Sequence, residues 1–111
     1  MIVKDSINIA VDFHKSLGAR YRYEGPHSGE EFLEKILLPK FLEAERGNHK
    51  IEVVLDGVIG YPSSFVSGSF GKLALDKGAK NVLKHLVFRS TNPIRLQKIL
   101  YEIENPIKKY A

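Results

Sequence analysis

The chain of 111 residues contains no cysteine, which excludes a disulfide framework and thiolate-bound metal. It also has no apolar run approaching the length of a membrane span or a signal-peptide core, so the expectation is a soluble, cytoplasmic protein. Several catalytic signatures are missing. No G-x-S-x-G or G-x-G-x-x-G occurs, and "SGSFGK" lacks both the first glycine of a P-loop and the hydroxyl after its lysine. A Ser-His-Asp hydrolase would have to assemble Ser64 with His27, His49 or His85 and Asp12 or Asp56 across the fold. The four histidines, at 14, 27, 49 and 85, show no paired metal-ligand spacing and read as lone surface residues. Excess charge of one sign is slight as well: the formal net charge is +4, and the lysines are scattered among acids except at Lys108 and Lys109. With no repeat, low-complexity stretch or linker, one domain spanning residues 1–111 is expected, with no cofactor and no metal.

What is present is an ordinary globular composition, 43% hydrophobic and 27% charged. "SINIAVDF" alternates Ile7, Ile9, Val11 and Phe13 against Asn8, Ala10 and Asp12, the period of a strand with one buried face. After a turn at Gly18, "ARYRY" alternates Ala19, Tyr21 and Tyr23 with Arg20 and Arg22, which predicts a second extended segment closing a hairpin, tyrosines inward. "SGEE" is a capping box: the Ser28 hydroxyl accepts from the Glu31 amide while the Glu31 carboxylate reaches back, and a helix begins at Gly29. Pro39 is expected to kink or end that helix, whose stripe fades near Ala44.

"KIEVVLDGV" has the aliphatic density of a central strand buried on both faces. From Ser63 the period changes to that of a helix, with Val66, Phe70, Leu73 and Ala74 on one face and Gly78 at its end. A short strand follows at Leu86, Val87 and Phe88. Then comes a helix with Asn92 as cap, Pro93 at its first position, Leu96, Ile99, Leu100 and Ile103 on one face, and Asn105-Pro106 as the stop. The order β, β, α, β, α, β, α predicts an α/β domain with a small mixed sheet, an N-terminal hairpin followed by parallel strands, and about three helices.

The chemistry concentrates in "LDGVIGYPSSFVSGSFGKL", at the carboxyl end of the best strand and the start of a helix, where free amides favour an anion. Ser63 or Ser64 is first expected to cap that helix, second to act as a partner-facing switch. In "RYRY", interleaved arginine and tyrosine raise the alternative of nucleic-acid binding, which the modest net charge disfavours.

"RYRYEGPHSGEEF", followed by "LLP" and "LDGVIGYPSSFVSGSFGKL", resembles the STAS-like domain family of unknown function, related in fold to the STAS anti-sigma-factor antagonists. Ser64, Phe65, Val66, Phe70 and Gly71 match the family's second motif, while Ser67 and Gly68 stand where acids are usual. On the broader STAS pattern Ser63 or Ser64 falls at the phosphorylated position, with Pro62 where an acid would be. The resemblance implies a trimmed STAS-like domain acting as a non-enzymatic regulatory interaction module, with a histidine-kinase-like ATPase as partner. Candidate partner-binding or switch residues are Tyr61, Ser63, Ser64, Phe65 and Ser67. Arg20, Arg22 and Ser28 are candidates for holding an anion, and a homodimer is compatible with the pattern.

Overall fold

The computed structural model describes residues 1–107, so the lysine pair at 108 and 109 lies outside the described residues. Strands β1 (Val3–Asn8), β2 (Lys50–Val54) and β3 (Leu86–Arg89) form one sheet in the order β1-β2-β3, with both pairs parallel. Ile7, Val53 and Phe88 lie side by side on its inner face, and Ser6, Glu52 and Val87 on its outer face. β2 is central, as its aliphatic run suggests, but only one face is fully covered: Ile51, Val53 and Leu55 are 0% exposed, whereas Glu52 and Val54 are half-buried. The outer face stays polar, with Glu52 accepting from Arg89 Nε at 3.0 Å.

The sheet is α/β but not mixed, because the expected hairpin does not form. Arg22–Glu24 is a 3₁₀ turn, and Tyr23 is 85% exposed instead of facing the core. The reason lies in where the backbone groups of this segment go. Gly29 and Glu30 N–H donate to the carbonyls of Ala19 and Arg20 at 2.8 and 2.9 Å. The N–H groups of Tyr21 and Arg22 donate to the carboxylates of Glu24 and Glu30, both at 2.9 Å. These donors and acceptors are then not offered to a strand partner. The first strand also ends earlier than its alternation implies. Asn8 Oδ1 accepts from Val11 N–H at 3.3 Å, Asp12 accepts from Asn8 N–H at 2.7 Å, and Ile9–Phe13 turns out of the sheet as a π-helical turn.

Helix α1 (Gly29–Phe32) starts where the cap predicts, with Ser28 Oγ accepting from Glu31 N–H at 3.0 Å. The Glu31 carboxylate reaches back one residue further than a capping box, to His27 N–H at 3.3 Å. A π-helical turn, Leu33–Leu37, then leads into α2 (Leu38–Gly47). Its wider spacing, with Leu38 N–H donating to Leu33 O, falls just ahead of Pro39, so the missing proline donor is absorbed and the helix does not end there.

The second helical run comprises α3 (Ser63–Val66), a π-helical turn (Ser67–Gly71) and α4 (Lys72–Lys77), ended by Gly78 at φ 90°. A helix that the sequence reading omits, α5 (Ala79–His85), follows at once and feeds β3. The last helix, α6 (Pro93–Glu104), is capped by Asn92 Oδ1 and buries Ile99 and Ile103. The described residues thus hold six α-helical stretches instead of three helices.

All four inward positions expected of the second helix are buried, and the Phe32 ring packs in tilted contact with those of Phe65 and Phe70, at centroid distances of 5.7 and 5.8 Å. The histidines depart from the surface expectation. His85 is 3% exposed with Nδ1 2.8 Å from His49 O, and His14 stacks on His27 at 3.6 Å.

Candidate functional site

The carboxyl ends of the parallel strands carry the segment from Leu55 to Ser64, and this loop is tied on every side. Leu55 N–H donates to Arg89 O at 2.9 Å, and the Asp56 carboxylate accepts from Thr91 N–H at 3.0 Å, so the ends of β2 and β3 stay together. Arg95, in the first turn of α6, donates to Val58 O at 2.7 Å and to Ile59 O at 2.9 Å. One turn on, Lys98 Nζ donates to Tyr61 O at 2.7 Å. Ile59 N–H donates to Lys15 O at 2.8 Å, adding the segment after β1. The Tyr61 ring lies 5.5 Å from the Arg95 guanidinium, and its hydroxyl donates to Leu55 O at 2.7 Å. Burial pushes the Tyr61 hydroxyl well above its ordinary titration range, with Arg95 opposing it.

This loop delivers the chain to α3, and there the serines are not caps. Pro62 occupies the cap position with no side-chain bond to the helix, while Ser63 and Ser64 are the first two helical residues. The capping expectation is overturned because the chain enters the helix one residue earlier than the serine pair. Ser63 is exposed and Ser64 half-buried. The other candidates sit inside: Phe65 is 0% and Tyr61 5% exposed, so both side chains lie in the core. Ser67 is 7% exposed, and Ser69 is fully buried with Oγ donating to Phe65 O at 2.8 Å. Arg95 and Lys98, which hold the loop, escape sequence reading, and Asp56, which the sequence offers only as a hydrolase acid, instead anchors the loop on Thr91. The only local trace is the three-residue spacing of Arg95 and Lys98, which puts two cations on one face of α6.

A second region gathers some of the remaining candidates. Arg20, Tyr21, Leu33, Ser67, Leu75 and Ile107 border a cavity of about 170 Å³ between the segment before α1 and the π-helical turn after α3. Backbones approach closely here. A Cβ on Gly29 would stand 2.4 Å from Phe65 O, and one on Gly68 would stand 2.9 Å from Arg20 O. The proposed anion-binding trio is not assembled as a cradle. Arg22 pairs with Glu34 at 3.0 Å, and Ser28 is buried with its hydroxyl engaged by Glu31 N–H. Arg20 instead adds its charge to the surroundings of Glu102, whose carboxyl is pushed up chiefly by burial, with Arg20 and Lys98 opposing.

Among the described residues no three His, Asp or Glu side chains converge as metal ligands. No described helix is long and apolar enough to cross a membrane. None of the curated proteins and none of the solved structures compared with the chain matches it. A family model described as a STAS-like domain of unknown function matches residues 28–95. That span runs from the Ser28 cap to Arg95, taking in the tied loop and the serine pair and covering more than half of the chain. The chain therefore belongs to the family of STAS-like domains of unknown function.

Proposed function

We propose that this domain is a non-enzymatic regulatory module that binds a protein partner through the loop after β2 and the first turn of α3. The observation that supports this most is the contrast within that stretch: its carbonyls are held by Arg95 and Lys98 and its Asp56 carboxylate is anchored on Thr91 N–H, while Ser63 is exposed where the helix begins. A preformed backbone lowers the ordering cost of association. A phosphate on Ser63 would add nearly two negative charges beside the open amides of the helix start, changing the sign of the surface while leaving the fold alone. The STAS resemblance supports a histidine-kinase-like ATPase as the partner class. Against the nucleic-acid alternative, Arg22 is already paired with Glu34.

Titration calorimetry of the domain with a purified histidine-kinase-like ATPase from the same cells tests the reading. Ser63→Asp is expected to weaken binding by about tenfold, or about 1.4 kcal/mol. Ser63→Ala, at a position that caps nothing, is expected to change stability by no more than about 0.5 kcal/mol and to keep binding. Equal affinity for wild type and Ser63→Asp removes the switch, and no binding by any of the three removes the partner class.

A further inference from the structure

Among the described residues, the three aliphatic side chains that reach furthest into solvent are Val11 at 77%, Ile94 at 75% and Ile59 at 74% exposure. They are distant in sequence, yet each follows the carboxyl end of a different strand. Val11 lies in the turn after β1, Ile59 in the loop after β2, and Ile94 in the first turn of α6 after β3. Since β2 is the middle strand, the loop that carries Ile59 leaves the sheet between the other two segments. Hydrogen bonds already join the three segments: Ile59 N–H to Lys15 O, and Arg95 to the carbonyls of Val58 and Ile59. The core does not use these side chains, and leaving three aliphatic groups in water at one edge gains nothing for folding.

We infer that Val11, Ile59 and Ile94 form the apolar centre of a docking surface for a separate protein whose matching face is apolar with an acidic rim. The inference rests on the proposed interaction role and extends it to the ends of both flanking strands. Charge argues against a second copy as the occupant, because a symmetric pair would set this basic edge against itself. Charge argues for the acidic rim. Lys15 is exposed, and Arg95 and Lys98 are satisfied by neutral carbonyls instead of carboxylates. The acids of this edge, Asp12 and Asp56, accept from backbone N–H groups. The amino end of α6 adds its positive pole to the same edge.

The test places the photo-crosslinking residue p-benzoylphenylalanine at position 59 of the full chain in its own cells, with positions 87 and 101 as controls on other surfaces. The protein trapped at 59 is then purified and titrated with wild type, Ile59→Asp, and the Val11→Ser, Ile94→Ser double variant, with melting curves alongside. Support requires both an adduct formed at 59 but not at 87 or 101, and at least about tenfold weaker binding by each variant at unchanged melting temperature. Trapping only a second copy of this chain overturns the inference, as does unchanged affinity of Ile59→Asp. A partner trapped at 87 or 101 but not at 59 overturns the docking surface while sparing the interaction role. No adduct at any position overturns both.

Discussion

Two irregular stretches flank the helices of this domain, and they satisfy their backbones by opposite chemistry. In the loop after β2 the carbonyls of Val58, Ile59 and Tyr61 are held by cations reaching over from α6. In the segment before α1 the N–H groups of Tyr21, Arg22 and His27 are held by the carboxylates of Glu24, Glu30 and Glu31, all close in sequence. The first arrangement is long-range, whereas the second is local and includes the Glu31 carboxyl, held below its ordinary range chiefly by Lys35. One stretch is therefore tied to the global fold, and the other in part to the ionisation of Glu31.

The strongest way to break this comparison is to remove the long-range tie. Arg95→Ala deletes two charge-assisted bonds and the packing on Tyr61, with an expected cost of about 2 kcal/mol in denaturant unfolding at unchanged slope. A loss below about 0.5 kcal/mol would mean that the loop holds itself.

Acid sharpens the contrast next. Lys35's hydrogen bond, opposed by some burial, holds the Glu31 carboxyl below its ordinary range, and the His27 N–H adds to the lowering. A depressed carboxyl contributes stability that is present above the unfolded value, about 4.3, and lost as pH falls through the folded one. Hydrogen exchange corrected for intrinsic rates should therefore show the His27 amide losing protection below about pH 4 while the Ile59 amide keeps it. Equal loss at both amides would erase the distinction.

The smallest effect concerns the other end of α6. The Glu102 Oε2 atom is buried with no hydrogen-bond partner among the described residues, and burial raises this carboxyl. A raised carboxyl costs stability while ionised and regains it as pH falls through the folded value. Glu102→Gln should thus stabilise at pH 7 by less than about 1 kcal/mol once solvent screening is allowed for, with the gain gone below about pH 4. A destabilised variant at pH 7 would show that the attraction of Arg20 and Lys98 outweighs burial.

What could be read in advance were the features whose causes are local. The Ser28 cap, the Asn92-Pro93 start of α6, the stripe through Val66, Phe70, Leu73 and Ala74, and the central position of β2 all follow from short-range spacing or aliphatic density. The errors arise where a side chain competes for a backbone group. Asn8 and Asp12 turn the chain out of β1, and Glu24 and Glu30 take the donors that an RYRY strand would need. α5 is not legible from spacing because Gly78 ends one helix and begins the next. At the site, the position of the serine pair was legible but its supports were not, since Arg95 and Lys98 meet their carbonyls across 37 residues of sequence.

The close approach at Gly68 bears on how such a domain can vary. At this position even a methyl group would stand 2.9 Å from the Arg20 carbonyl oxygen. The absent side chain and the course of the "RYRY" segment are one structural choice expressed in two places: the segment rests on the helix because nothing projects from it. The two motifs are therefore not interchangeable parts. A side chain at position 68 would lift the segment off its seat, so a substitution there should fold well only with a matching change in the segment that lies over it.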